Sequence, residues 1–234
     1  MRVVRSPIAF GRLLGVEVAD ALAAPGVAAV WTGRDVADIP PIDFRQVRLP
    51  GLASYRQPIL AADHVRYVGE PLAVVLAEDA YLAEDAANLV FAEIEEFEPV
   101  RRATDAMGEF APGLSSEAAI MHKGYGDLEA AFAAAHDIVE LRLSLGRHSG
   151  VPLETRGAVA CYDAALDLLE IHGAAKIPHL NRDALAKMLG RPPERIQLYE
   201  GHVGGGFGIR GELYPEDVLV ALAALRLGRP IKWI

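Results

Sequence analysis

The sequence has little cysteine, since Cys161 is its only thiol among 234 residues. A single cysteine excludes an internal disulfide, and it also excludes an iron–sulfur cluster held by this chain alone. Cys161 stands in the apolar run 157–162, which favours a buried structural thiol over a reactive one. Any redox centre made of cysteine ligands must therefore lie on another domain or subunit.

Long apolar runs and basic clusters are lacking as well. No stretch is long enough to cross a bilayer, and the N-terminus has no secretory pattern, so we expect a cytoplasmic protein without a membrane partner. Lys and Arg number 23 against 32 Asp and Glu, which gives a net charge of -9. Because no cluster of Lys and Arg runs along the chain, nucleic acid is not an expected partner.

What is present is a hydrophobic content of 52%, enough for one large domain or two small ones. In the first hundred residues the periodicity predicts alternating strands and helices around a proline-rich loop at 39–60. A helix capped by Asp79 should bury Leu82, Ala86, Leu89 and Val90. Periodicity is lost over 103–123, so we expect a first domain at 1–102, a linker at 103–123 and a second unit at 124–234.

The second unit mixes helices and strands. The patterns predict a short helix capped by Asp127 with Leu128 and Phe132 inward, strands at 139–145 and 195–200, a hairpin at 157–172, and helices at 181–189 and 214–227. A last apolar strand at 231–234 needs a partner. It could pair internally, pair with another polypeptide, or fray, and the pattern alone does not decide among these.

A glycine-rich segment is the sharpest local feature. Val203 to Arg210 reads VGGGFGIR and lies between a predicted strand and a predicted helix. Glycines allow positive φ and a close approach of the backbone to a ligand, and successive amides can form an anion-binding concavity. Neither a dinucleotide fingerprint nor a P-loop fits, because Ile209 replaces a required glycine and no Gly-Lys-Ser/Thr follows. A ligand cradle and a tight structural loop remain equally open from this pattern.

The segment GGGFG with its following basic residue resembles the molybdopterin loop of the xanthine dehydrogenase and aldehyde oxidase family. Other segments of the second unit resemble that family in the same order. They are Glu154-Thr155-Arg156-Gly157, Lys176-Ile177-Pro178-His179, and Gly228-Arg229-Pro230-Ile231-Lys232-Trp233. Aerobic carbon monoxide dehydrogenase large subunits share this layout.

The first unit resembles the a/b hammerhead domain of the same family. The matching segments are Arg5-Ser6-Pro7, Pro25-Gly26-Val27 with Thr32-Gly33, Val65 to Pro71, and Ala83 to Ala87. The resemblance implies an α+β protein, in which the hammerhead domain is followed by the first part of a molybdopterin-binding α+β domain. It covers nearly the whole chain.

The resemblance also implies a chemistry. The family's large subunit binds molybdenum through a pterin dithiolene and inserts water-derived oxygen into a C–H bond of an aldehyde or N-heterocycle, while one branch oxidises carbon monoxide. Electrons leave through iron–sulfur clusters and usually FAD on other domains or subunits. The implied partners are therefore iron–sulfur and flavin subunits, together with a small-molecule substrate.

By the same match, the residues expected to contact the cofactor are Gly204, Gly205, Gly206, Phe207, Gly208 and Arg210. Lys176 stands where the family commonly has a glutamine that hydrogen-bonds a metal oxo ligand. Lysine has no acceptor, so Lys176 either donates to an oxo or phosphate group or marks an altered site. Glu212 is the candidate for the family's substrate-facing glutamate, although it lies one position late.

Several other polar residues are expected to be structural. His148 and His179 fit hydrogen-bonded structural histidines better than metal ligands, because the family's metal is held by sulfur. Glu70, Glu154 and Arg156 are expected to form structural polar pairs.

The family's general-base glutamate has no counterpart in this chain. The leading hypothesis is thus a subunit that shares its site with a second chain or with the remainder of the subunit. The alternative is a non-catalytic remnant or binding module of the same fold.

Overall fold

The architecture of the chain is given by a computed structural model, which describes residues 1–45, 49, 51–146, 148–173 and 177–234. In chain order, the first unit contains β1 (Arg2–Arg5), β2 (Gly11–Glu17), α1 (Ala19–Ala23), β3 (Val27–Thr32), β4 (His64–Val65), β5 (Pro71–Ala77), α2 (Ala80–Ala87) and β6 (Phe91–Glu96). The strands form two three-stranded antiparallel sheets, with strand orders β1-β5-β3 and β4-β2-β6. The central strand β5 is buried along nearly its whole length.

Most of the predicted elements of this unit are confirmed, with differences at the helix ends. Asp79 caps α2 by accepting from the amides of Tyr81 and Leu82 at 2.9 and 2.8 Å, as its position predicts. The helix ends at Ala87, so Leu89 lies beyond it and is 49% exposed, not inward as predicted. Helix α1 begins at Ala19 after Val18, and Asp20 lies in its first turn.

The region that follows has little tertiary packing. A small hairpin pairs β7 (Glu109–Ala111) with β8 (Leu114–Ser115), and α3 (Leu128–Ala133) comes later. Every described residue between 115 and 149 is exposed. The prediction that Leu128 and Phe132 point inward is therefore wrong within this chain, as is the predicted strand at 139–145. The physical reason is the same for both, because no described part of the chain faces these side chains.

A four-stranded sheet forms the second unit. Its elements are β9 (Ala158–Asp163), β10 (Leu168–Gly173), α4 (Pro178–Leu189), β11 (Ile196–Tyr199), α5 (Pro215–Leu227) and β12 (Ile231–Trp233). The strand order is β11-β10-β9-β12, with β10 and β11 parallel and the other pairs antiparallel. Strand β12 pairs with β9, so internal pairing is the alternative that the structure adopts for the last predicted strand.

Helix α5 connects the two units through one continuous apolar core. Residues Val218 to Ala221 are all fully buried, which is typical of a helix enclosed on every side. One face packs on β9 and β12, and another contacts β5 in the first unit. Pro215 occupies the first turn and Gly228 ends the helix with φ 59°, as predicted. This helix therefore fixes the position of the glycine-rich segment that precedes it.

Within the described ranges, the helices are all too short or too polar to cross a membrane.

Candidate functional site

The glycine-rich segment lies in the loop that joins β11 to α5. Three of its residues have positive φ, namely Gly205 at 108°, Phe207 at 42° and Gly208 at 88°. Positive φ is rare for a residue with a side chain and costs on the order of 1–3 kcal/mol. Phe207 therefore holds a strained conformation, which is a feature that clusters at ligand sites.

This turn is open to solvent and keeps free backbone donors. The Phe207 side chain is 75% exposed, so the turn is not packed inside the core. The Ile209 amide donates to the Gly206 carbonyl at 2.9 Å, which closes the turn. The amides of residues 205–208 make no hydrogen bond to any other described residue. Because amide N–H groups are strong donors, such a run can receive an anionic or oxo group of a ligand.

Glu154 anchors the start of the turn. Its carboxylate accepts a hydrogen bond from the Gly204 amide at 2.6 Å. A Cβ on Gly204 would stand 2.5 Å from the Cβ of Glu154, so only glycine allows this approach. On the other side, a Cβ on Gly150 would meet the Cβ and the carbonyl of Phe207 at 2.9 Å each. The segment before β9 therefore forms one wall against the glycine turn.

Arg210 lies beneath the turn and not at its surface. Its side chain is 2% exposed, and its guanidinium donates to the Glu154 carbonyl and lies 3.8 Å from the Glu154 carboxylate. Its Nε has no hydrogen-bond partner among the described residues. Arg210 thus joins the glycine turn to Glu154 from inside. A direct contact between Arg210 and a cofactor stays a prediction.

Replacing Arg210 should weaken the fold around this turn. We expect Arg210→Ala to lower the free energy of unfolding by about 2–3 kcal/mol, because a buried charged hydrogen bond and its packing are lost. Urea titration followed by circular dichroism would measure the change. Arg229→Ala is the matched control, since Arg229 is exposed and should change stability by less than about 0.5 kcal/mol. Equal stability of the two variants would contradict this role for Arg210.

Glu212 lies near the turn but is already paired. Its carboxylate is 3.0 Å from the Arg45 guanidinium, and its side chain is 48% exposed. Arg45 also donates to the Gly211 carbonyl at 2.7 Å. The buried amide of Asn181 donates to the Glu212 carbonyl at 3.4 Å. Arg45 from the first unit and Asn181 from α4 thus fix the backbone that carries Glu212, while the predicted catalytic role of Glu212 stays a prediction.

A buried carboxylate at the start of α5 connects the two units. The Glu216 side chain is 4% exposed and lies 2.6 Å from the Arg5 guanidinium and 3.2 Å from that of Arg156. The Arg156 guanidinium also stacks over the Tyr214 ring at 3.8 Å from its centroid. Burial raises the pKa of Glu216, but the attraction of Arg156 and Arg5 outweighs it and leaves this pKa below its ordinary value.

The remaining predicted residues fall into different places. Lys176 lies outside the described residues, so its two readings stay open. His148 and His179 are exposed, and neither imidazole makes a hydrogen bond within the described part of the chain. Their predicted structural role is therefore not supported. Cys161 in β9 is only partly buried, in contrast to the buried thiol expected from its apolar run.

The expected structural polar pairs are present, but they do more than the sequence indicates. Glu70 forms a buried pair with Arg66, and Arg156 pairs with Glu216. The contact of Glu154 differs from a simple polar pair. Its carboxylate accepts a hydrogen bond from the Gly204 amide of the glycine turn, 50 residues away in the chain. The only sequence signal for this contact is that Glu154 belongs to the segment Glu154 to Gly157, which resembles the family.

Models of two families match this chain, and together they cover nearly all of it. The a/b hammerhead domain of aldehyde oxidase and xanthine dehydrogenase matches residues 1–98. The molybdopterin cofactor-binding domain matches residues 112–234 and so includes the glycine turn, Glu154 and α5. The chain therefore belongs to the xanthine dehydrogenase and aldehyde oxidase family of molybdenum hydroxylases, as part of the molybdopterin-binding large subunit.

Particular relatives agree with this assignment. The chain is 38% identical to 6-hydroxypseudooxynicotine dehydrogenase complex subunit gamma of Paenarthrobacter nicotinovorans, over 100% of this chain and 30% of the relative. It is 32% identical to the carbon monoxide dehydrogenase large chain of Hydrogenophaga pseudoflava, over 100% and 31% respectively. Quinoline 2-oxidoreductase of Pseudomonas putida 86 superimposes with a TM-score of 0.87 at 36% identity, over 100% and 30%. The chain thus spans about 30% of the length of these relatives.

Proposed function

We propose that this chain supplies the hammerhead domain and one wall of the molybdopterin pocket in a hydroxylase that oxidises a small organic molecule with water-derived oxygen. The observation that carries the proposal is the solvent-open turn at 205–208, with its strained Phe207 and its free amides. In an electrostatic site of this kind, donors held in place before binding need no reorganisation when charge develops on the ligand.

The residues present fit a molybdenum–pterin group. Gly206, Phe207 and Gly208 would hold it through backbone amides, while Glu154 and Arg210 keep the turn in shape from behind. When bound, the group supplies the two-electron redox chemistry of the reaction. The chain's own contribution is to position donors and to seal one side of the pocket from bulk water.

An N-heteroaromatic ring is the substrate class to test first. Relatives with 38% and 34% identity carry names that refer to 6-hydroxypseudooxynicotine and nicotine, and the neighbour with a TM-score of 0.87 is a quinoline oxidoreductase. Aldehydes are the second class. As in the family, iron–sulfur clusters and FAD on other subunits would receive the electrons, and a cytoplasmic complex is the proposed setting.

A further polypeptide would complete the molybdopterin pocket and provide the general-base glutamate of the family. The matched region covers about 30% of several relatives, but 53% of the nicotinate dehydrogenase large molybdopterin subunit of Eubacterium barkeri, at 27% identity. Relatives of very different length therefore carry this region. That variation supports a pocket whose walls can come from separate chains.

The proposal is tested by producing the chain together with a tagged polypeptide from the same genome that carries the rest of the large subunit. We expect the purified complex to contain molybdenum by mass spectrometry and a fluorescent pterin after oxidation. The chain produced alone is the control and should contain neither. A stable complex without molybdenum or pterin would favour the alternative, a non-catalytic remnant or binding module of the same fold.

Lys176→Gln separates the two readings of that position. If Lys176 donates a hydrogen bond in an active site, the substitution should lower the hydroxylation rate at unchanged molybdenum content. If the lysine marks an altered site, glutamine should raise the rate, because it restores the acceptor and donor pair usual in the family. Rates with an N-heteroaromatic substrate and an artificial electron acceptor would measure the difference.

A further inference from the structure

The segment 138–146 has the pattern of a strand but pairs with nothing in the described structure. Its apolar side chains alternate with Glu140, Arg142 and Ser144, so a β-strand here would place all of them on one face. Those apolar residues are Val139 at 88% exposure, Leu141 at 74%, Leu143 at 76% and Leu145 at 89%. A row of exposed aliphatic side chains on one face is typical of an interaction surface.

The backbone of this segment is also available. No main-chain hydrogen bond joins residues 138–146 to any other described residue. The exposed region extends upstream through α3, where Leu128 is 67% and Phe132 52% exposed, although Asp127 caps the helix at 3.0 Å from the Ala130 amide. Disordered segments are typically poor in large apolar residues. A capped helix followed by an alternating apolar run therefore indicates a structure that is completed by contact with another surface.

We infer that residues 139–145 form a β-strand that joins the edge of a sheet in the remaining part of the large subunit, with α3 packed beside it. The relatives are about three times as long as the matched region, so they hold enough chain to provide such a sheet. This inference rests on the proposed function only in taking the chain to work as part of a large subunit.

A second copy of the chain fits this surface less well. Two copies of the segment could pair in antiparallel fashion, with Glu140 opposite Arg142. However, a two-stranded ribbon leaves its apolar face uncovered and is marginally stable in water. The four aliphatic side chains require a wider sheet or a covering layer. The remaining part of the large subunit can provide that layer, whereas residues 139–145 of a second copy cannot.

Hydrogen exchange in the full chain, alone and in complex with the polypeptide that carries the rest of the subunit, tests the inference. We expect amides at 139–145 to exchange on the order of 100-fold more slowly in the complex, as in paired strands. Exchange at the same rate in both samples would overturn the inference. Concentration-dependent dimers of the chain alone, with protection of 139–145, would overturn it in favour of a second copy.

Matched substitutions test which face is used. Leu141→Asp should reduce the amount of chain recovered with the tagged partner by about 10-fold or more, because a charge enters the apolar face. Arg142→Gln lies on the opposite face and should change recovery by less than about 2-fold. Both side chains are exposed in the isolated chain, so its melting temperature should stay unchanged in either variant. Equal recovery of the two variants would overturn the proposed face.

The molybdenum content of the same complex keeps the two proposals distinguishable. A complex protected at 139–145 but free of molybdenum would contradict the proposed function and support this inference. A complex that contains molybdenum but leaves 139–145 unprotected would support the proposed function and contradict this inference.

Discussion

Glu216→Gln is expected to lower the free energy of unfolding by about 2–3 kcal/mol and the melting temperature by about 5–10 °C. The carboxylate is 4% exposed and pairs with Arg5 and Arg156, which come from different units of the fold. Removing its charge leaves Arg5 without a carboxylate partner among the described residues, and it leaves Arg156 with only the Asp217 carboxylate, 3.5 Å away. The expected change is smaller than for a fully buried pair, because Arg5 is 40% and Arg156 24% exposed.

The matched control is Glu84→Gln. Glu84 pairs with Arg2, but both side chains are nearly half exposed, at 46% and 47%. An exposed pair of this kind contributes at most about 1 kcal/mol. Urea and thermal unfolding of both variants would measure the difference. If Glu216→Gln lowered the free energy of unfolding no more than Glu84→Gln does, apolar packing alone would join the two units through α5.

The same carboxylate should make stability depend on pH in one direction. The folded-state pKa of Glu216 lies below its ordinary value of 4.5. Its contribution is therefore fully present above about pH 4.5 and is lost as the pH falls through the lower, folded-state pKa. We expect the stability difference between the unmodified chain and Glu216→Gln to be constant near neutral pH and to shrink below that ordinary value. Unfolding midpoints measured from pH 7 to pH 3 would show the trend, and a difference independent of pH would contradict it.

Locally encoded features of the fold could be predicted from the sequence. Helix α5 follows from Pro215 in its first turn, an apolar run, and Gly228 with positive φ at its end. The hairpin of β9 and β10 and the glycine turn also follow from neighbouring residues. In each case the residues that determine the structure lie within one element or its caps.

Features that depend on distant partners could not be predicted in this way. Glu154 reaches Gly204 across 50 positions, and Arg5 reaches Glu216 across 211. No periodicity connects such positions, so the sequence indicates polar pairs without their partners. The alternating run at 139–145 is the opposite case. Its pattern alternates as in a strand, but a strand requires a neighbour, and none is found in the described part of the chain.

Gly205→Ala is expected to reduce the molybdenum content of the complex by about 10-fold or more. Gly205 has φ 108°, where a side chain is strained whatever the space around it. An added Cβ would also stand 2.9 Å from the Phe207 ring and 3.1 Å from the Pro152 Cβ. The loop can relieve this strain of about 1–3 kcal/mol by local relaxation, and restoring the shape of the turn on binding then lowers cofactor affinity by roughly 5- to 150-fold.

A series of three glycines separates strain from contact in this turn. Gly201→Ala is the control, since its φ is not positive and nothing lies within 4 Å of its added Cβ. Gly208→Ala adds strain at φ 88° without a contact, so its loss of molybdenum should fall between the other two. Gly201 and Gly208 are exposed and Gly205 is partly buried, and all three lie in a loop that can relax locally, so the unfolding midpoint of the chain should change little. If Gly205→Ala retained as much molybdenum as Gly201→Ala, the shape of the turn would not be what holds the cofactor, and the role assigned to Phe207 would have to be abandoned.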